Sequence, residues 1–349
     1  MNKHIFYIAA ACVALASCVK NEVRVNVPDQ EITFQTVSTK EVTAFSTDNH
    51  FFSYAYFLEK GKTWAKDYAD AKPYIDNAEI SYQKNGNYWA AGKSYYWPKQ
   101  GSLTFFAWTD DTPKPSVGTG ATVSCAHDTG IKIEGYSIKG DNRNKDILVA
   151  DIAKDKTNNE TATGKWEKGV QTVFRHALAS VEFKVNKKTN YPNVTFKVKS
   201  ITLSDVSTKG TFTQGSPDET KVWSDWADAD NIPVFTNAAG VEVTETATPT
   251  AGFNILVPDD ATDYSIVLPQ NFGATATSNL TIVYDIITTY TGTAVTETVT
   301  ETKDLKDIYT SNWESGKKYV LGITLGLNEI YWDPSVEGWD TGSVTDIQF

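Results

Sequence analysis

Three cysteines, one methionine and four histidines are all that 349 residues offer of the side chains suited to redox chemistry, metal binding or proton transfer near neutral pH. Position makes the shortage sharper. Cys12 lies inside an N-terminal apolar run and Cys18 follows it, which leaves Cys125 alone in the body of the protein and rules out an internal disulfide there. His4 is in the same N-terminal segment, and His50, His127 and His176 are far apart in sequence. HExxH, Cys/His clusters at zinc spacing, GxSxG and the lysine of a phosphate-binding loop are all missing. Gly118-Thr119-Gly120 has no helical pattern after it and reads as a loop. The 43 acidic residues could supply two carboxylates for glycoside hydrolysis, but nothing in their spacing brings a pair together. No catalytic residue, cofactor or metal ligand set is therefore expected, and no enzyme.

Positive charge is also in deficit. The formal net charge is −11, which disfavours nucleic acid and anionic membrane surfaces as partners. Long apolar runs are missing except for one, the 12 residues Ile5 to Ala16. A bilayer-spanning helix needs about 20, so with Lys3 before it this run reads as a secretory signal over residues 1–17. It closes on Leu15-Ala16-Ser17-Cys18, which resembles a bacterial lipobox: small side chains that fit a peptidase cleft, then a thiol that takes diacylglycerol. Cys18 is accordingly expected to be the lipidated N-terminus, and residues 18–30, polar with one proline, a tether.

What the chain has in abundance is β-forming material: 10 Trp, 17 Tyr and 16 Phe, with many Thr and Val. Candidate strands include EITFQTVS (Glu31 to Ser38), FSYAYFL, SLTFFAWT, DILVAD (Asp146 to Asp151), VEFKV and LTIVYDIITTY, separated by Gly- and Pro-containing breaks such as DDTPKPSVGTG. Asn85-Gly86 signals a hairpin. In VTFKVKSITL the apolar phase slips by one between Val198 and Ile201, which predicts a bulge. The Thr-rich segment Thr291 to Thr302 reads as a loop, and ETKDLKDIYTSNW as the place for a short helix. The fold class is all-β: two antiparallel β-sandwich domains, residues 31–168 and 169–349, divided near the polar stretch KDKTNNETATGKWEKG.

Three features invite a functional reading. Arg175-His176, at the mouth of a strand, has no nucleophile, carboxylate or metal partner nearby in sequence and reads as structural. Asp225, Asp228 and Asp230 in SDWADADN are the best cation candidates, though the run lacks the central glycine and terminal glutamate of an EF-hand and a solvated acidic turn is the simpler account. The aromatic supply suits stacking on sugar faces, but most of these rings sit in strand-like runs where cores need them.

The lipobox at Cys18, TFFAW (Thr104 to Trp108), DILVAD, FRHALASVEFKV and NWESGKKYVLGITL…IYWDPSVEGW ending at Trp339 occur in an order that resembles the Bacteroidales fimbrillins, the type V pilin subunits and their relatives. The resemblance implies tandem transthyretin-like or Greek-key sandwiches exported as lipoproteins to the outer membrane and cell surface. It also implies assembly with other fimbrial subunits by donor-strand exchange, and a role in adhesion to a host or bacterial surface. In polymerising members a protease cuts after a basic residue, usually Arg, and removes the first strand. Here Lys40 follows EITFQTVS, a departure from Arg, whereas a cut at Arg24 removes only the tether. In SVTDIQF, Ile347 and Phe349 share a face suited to a donor strand, or to an ordinary last strand. The alternative is a monomeric outer-membrane lipoprotein that binds glycan or host matrix.

Overall fold

A computed structural model describes residues 31–36, 45–84, 88–158, 160–161, 168–187, 191–243, 254–256, 262–273, 275–309, 312–327 and 330–339. Along the chain come β1 (Phe34–Thr36), β2 (Phe51–Leu58), the one-turn helix α1 (Trp64–Asp67), β3 (Lys72–Gln83), β4 (Tyr88–Ala91) and β5 (Ser102–Thr109). Next are the hairpin β6 (Thr122–Ala126) and β7 (Gly130–Ser137), then β8 (Leu148–Ala150), β9 (Ala153–Lys156), β10 (Glu160–Thr161), β11 (Lys168–Thr172) and β12 (Phe174–His176). The remainder is β13 (Ala179–Lys187), β14 (Val194–Thr213), β15 (Val222–Val243), β16 (Asn254–Leu256), β17 (Ile266–Val267), β18 (Asn279–Tyr290), β19 (Thr293–Asp304), α2 (Leu305–Ile308), β20 (Lys317–Leu325) and β21 (Ile330–Gly338). The protein is all-β, as its composition predicts.

The strands form three sheets. The first runs β10-β11-β1-β4-β3-β2-β5-β8-β12, with β9 also on β5. The second is β16-β13-β20-β21 with β17 on β13, and the third β19-β18-β14-β7-β6 with β15 on β14. Pairing is antiparallel except for β1 with β11 and β13 with β20, which are parallel. Strand pairing also crosses residue 168: β14 bonds to β7, and β11 and β12 complete the first sheet.

Alternation places the cores. In β5 all eight residues are buried. Leu103, Phe105 and Ala107 point into one apolar cluster, with Phe34, Phe51, Trp89, Trp97 and Phe174, while Phe106 and Trp108 point into the other. β2 does the same, Phe51 and Ala55 to one side and Tyr54, Tyr56 and Leu58 to the other. The first sheet curls around the smaller cluster. Its outer face meets the larger one, which the strands of the other two sheets complete. Trp64, Trp89, Trp97, Trp108, Trp223 and Trp313 are buried, so core packing claims most of the tryptophans whose side chains are described.

Local expectations fare unevenly. β3 and β4 pair through Gln83↔Tyr88, the hairpin that Asn85-Gly86 signals, with the turn itself outside the described residues. The slip in β14 is a bulge: Val198 faces Tyr284 and Ser200 faces Val283, leaving Lys199 as the extra residue. The Thr-rich segment is not a loop. β19 pairs along its whole length with β18, from Asn279↔Asp304 to Tyr290↔Thr293. Threonine is β-branched, and a ladder of such residues holds a strand even when that strand is mostly exposed.

Phe51 is fully buried and makes edge-on contacts with Phe34 and Phe174. Phe51→Ala should lower stability by about 3–5 kcal/mol in urea denaturation, whereas Tyr290→Ala, at the exposed tip of the β18–β19 hairpin, should stay within about 0.5 kcal/mol of the parent.

Candidate assembly site

β1 is short, yet it has no free side. It lies between β4, to which Phe34 is antiparallel opposite Trp89, and β11, where Phe34, Gln35 and Thr36 run parallel to Val170, Gln171 and Thr172. Just upstream, Ile32 N–H donates to the Tyr95 carbonyl at 2.7 Å, and Val170 N–H donates to the Thr33 carbonyl at 2.8 Å. Ile32 and Phe34 enter the smaller core; Thr33 and Gln35, on the opposite face, are buried as well. Burial of the two apolar side chains contributes about 1.5–3 kcal/mol each. Phe34 meets Phe51 and Phe105 edge-on, with centroids 5.7 Å away in both cases. Against this, the Gln35 Oε1 is buried without a hydrogen-bond partner among the described residues, a cost of about 1–3 kcal/mol.

Gly169 sets how closely β11 approaches. Its φ is +150°, and a Cβ there would stand 2.7 Å from backbone atoms of Phe34. Only glycine lets the backbone of β11 lie this near β1.

A second cluster forms where β8 meets β12. The antiparallel register Phe174↔Ala150, Arg175↔Val149, His176↔Leu148 brings the two aspartates that flank ILVA to Arg175 and His176. Arg175 Nη2 donates to Asp151 Oδ2 at 3.0 Å and Nε to the same oxygen at 3.1 Å, and Lys221 Nζ approaches Oδ1 at 3.3 Å. His176 Nδ1 bonds Asp146 Oδ2, and its ring stacks on Trp339 with centroids 4.0 Å apart and planes 10° from parallel. Burial pushes the Asp146 carboxyl above the ordinary carboxylate range, while the His176 bond pulls it back. Arg175-His176 thus has carboxylate partners that sequence proximity did not reveal. Nor is it the start of VEFKV: β12 ends the first sheet, and β13 opens another after Ala177-Leu178. The cluster ties three sequence-distant motifs together and contains no nucleophile.

The other expected sites separate. Cys18, Arg24, Lys40, Ile347 and Phe349 lie outside the described residues. Asp225, Asp228 and Asp230 are on β15, not in a loop, and Asp230 is bound to Lys139 at 2.5 Å, which holds its carboxyl below the usual range. Among the described residues no three His, Cys, Asp or Glu side chains gather as metal ligands. His50 pairs with Glu79 at 2.6 Å. Burial pushes the Cys125 thiol up, so at neutral pH it is protonated and a poor nucleophile. No helix among the described residues is long and apolar enough to cross a membrane.

Comparison with known proteins gives these arrangements a context. The profile of a family described as fimbrillin-like matches residues 26–339. Among solved structures, a fimbrial protein from Bacteroides vulgatus aligns at a TM-score of 0.65 and 21% identity, over 89% of this chain and 99% of that one. A candidate cell adhesion protein from Bacteroides uniformis aligns over 89% of this chain and 99% of its own, at 16% identity and a TM-score of 0.47. No curated protein matches the chain.

Gly169→Ala should destabilise the protein by about 1–3 kcal/mol and speed amide exchange in Ile32 to Gln35; unchanged exchange would mean that β11 does not hold β1 in place. At the second cluster, Asp146→Ala removes a largely buried partner of His176 and should cost about 1.5–3 kcal/mol. Asp151→Ala, at a partly exposed pair, should cost under about 1 kcal/mol in the same denaturation experiment.

Proposed function

The chain belongs to the fimbrillin-like family, and on that premise we propose that it is a non-enzymatic, cell-surface fimbrial subunit that assembles by exchange of its first strand. The observation that carries this reading is the setting of β1: a strand of three residues near the N-terminus, buried on both faces and hydrogen-bonded on both edges. Take it away and β4 and β11 each lose a ladder, while the pocket that held Phe34 opens onto Phe51 and Phe105. Unpaired N–H and C=O groups beside an apolar trough are what β-augmentation satisfies. Such a gap closes best when another strand of the same alternation enters.

In this reading Cys18 carries the lipid that holds the precursor at the outer membrane, and residues 18–30 are the tether. A cut after Lys40 releases the segment containing β1. A cut after Arg24 leaves β1 in place and the subunit closed. Ile347 and Phe349 near the C-terminus then serve as the apolar pair of the donor strand for the next subunit. The chain is organised as two β units, residues 31–168 and 169–349, with β7, β11 and β12 as the elements that pair across the division. Its partners are other fimbrial subunits, and adhesion is a property of the assembled fibre.

The test is the N-terminus of the protein recovered from cells. Mass spectrometry should find chains beginning at Glu41, and Lys40→Ala should preserve the longer form and abolish ladders on unboiled gels. Lipid-bearing Cys18 in every recovered molecule would defeat strand removal. Ile347→Asp together with Phe349→Asp should leave cleavage intact and stop the ladders. Arg175, occupied by Asp151, should remain uncut throughout.

A further inference from the structure

SDWADADN has a consequence unrelated to cations. Between Thr211↔Ser224 and Lys209↔Ala227 the ladder has only Gly210 on β14 but both Asp225 and Trp226 on β15. The extra residue makes a bulge. Asp225 and Asp228, on either side of Trp226, take left-handed φ values of 52° and 53°, a conformation that Asp tolerates better than most side chains. A Cβ on Gly210 would press to 3.2 Å from the Trp223 ring. The bulge presents Trp226 outward, 44% exposed, and its indole N–H donates to the Pro269 carbonyl at 2.9 Å, which anchors the ring.

Trp226 lines a cleft of about 240 Å³ together with Trp223, Trp313, Asn271, Asn312 and Glu314. That is below the roughly 300–1,000 Å³ of pockets for drug-sized ligands and suits a single ring. Trp313 is 2% exposed, and its Nε1 has no hydrogen-bond partner among the described residues. Asn271, Asn312 and Glu314 are exposed at the rim. The Gln270 amide, by contrast, is taken up by Ser207 and Leu268, and the Lys221 ammonium on the lining is paired with Asp151. The cleft therefore offers aromatic surface, amide groups and a carboxylate, with its one cation already engaged.

We propose that this cleft is a saccharide-binding subsite that takes one neutral pyranose ring of a surface glycan. The C–H face of the ring packs on the Trp226 indole, and the amides and the Glu314 carboxylate meet its hydroxyls. A phosphorylated or sialylated ring is disfavoured by Glu314 and by the net charge of −11. The site uses none of the residues around β1, so it stands whether or not the subunit polymerises.

The experiment is a glycan array probed with the full mature chain in detergent, printed with neutral, sialylated and phosphorylated glycans and with proline-rich peptides as controls. Wild type should be retained on neutral glycans, and Trp226→Ala and Asn271→Ala should each bind them about tenfold more weakly. Both positions are exposed, and circular dichroism on each variant establishes that it is folded. Lys40→Ala, which addresses strand removal alone, should bind like wild type. No retention on any neutral glycan, retention on peptides or charged glycans alone, or binding by the folded Trp226→Ala equal to wild type would overturn the proposal. If Trp226→Ala does not fold, full-strength binding by Asn271→Ala overturns it.

Discussion

A strand without a polar face needs a core on each side, and Ser102–Thr109 is such a strand. Its eight buried residues divide by alternation, with Leu103, Phe105 and Ala107 on one side and Phe106 and Trp108 on the other. β2 beside it has the same demand. The first sheet meets it by curling around the smaller cluster and lending its outer face to the larger one. Residues of β7, β13 and β14 share that larger cluster with Phe106 and Trp108.

Within that arrangement β1 closes the smaller core rather than decorating its edge. Phe34 meets the ring of β5's Phe105 on one side and of β2's Phe51 on the other. The parallel approach of β11 works only because residue 169 is glycine. In the proposed strand exchange, the interactions lost on removal of β1 are the ones an incoming strand can restore.

The candidate sites differ in how far they can be read in advance. EITFQTVS stands out as a strand by alternation, but that Thr33 and Gln35 are buried too depends on what lies over their face. DILVAD and FRHA are each visible as motifs. Their antiparallel register, which sets Asp146 against His176 and Asp151 against Arg175, is invisible to spacing because the partners are 24 and 30 positions apart. SDWADADN suggests cation ligands because carboxylates recur at close intervals; on β15 Asp225 falls at the bulge, Asp228 continues the ladder beyond it, and Asp230 goes to Lys139. The Thr-rich strand β19 misleads for a related reason, since little of it is buried and apolar alternation is the signal that marks strands.

Composition and local pattern by themselves determined that this protein is all-β, where most of its strands run, that its body holds no disulfide, and that its motifs follow the fimbrillin order. These are properties of short windows, in which propensity and the two-residue period act directly. Tertiary structure alone decided which strands became neighbours, that β1 and β11 run parallel, that Trp339 stacks on His176, and that Trp226 is presented outward beside a cleft. Each of these joins residues distant along the chain, and such contacts are chosen by the joint burial of whole faces, a quantity that no single stretch of sequence contains.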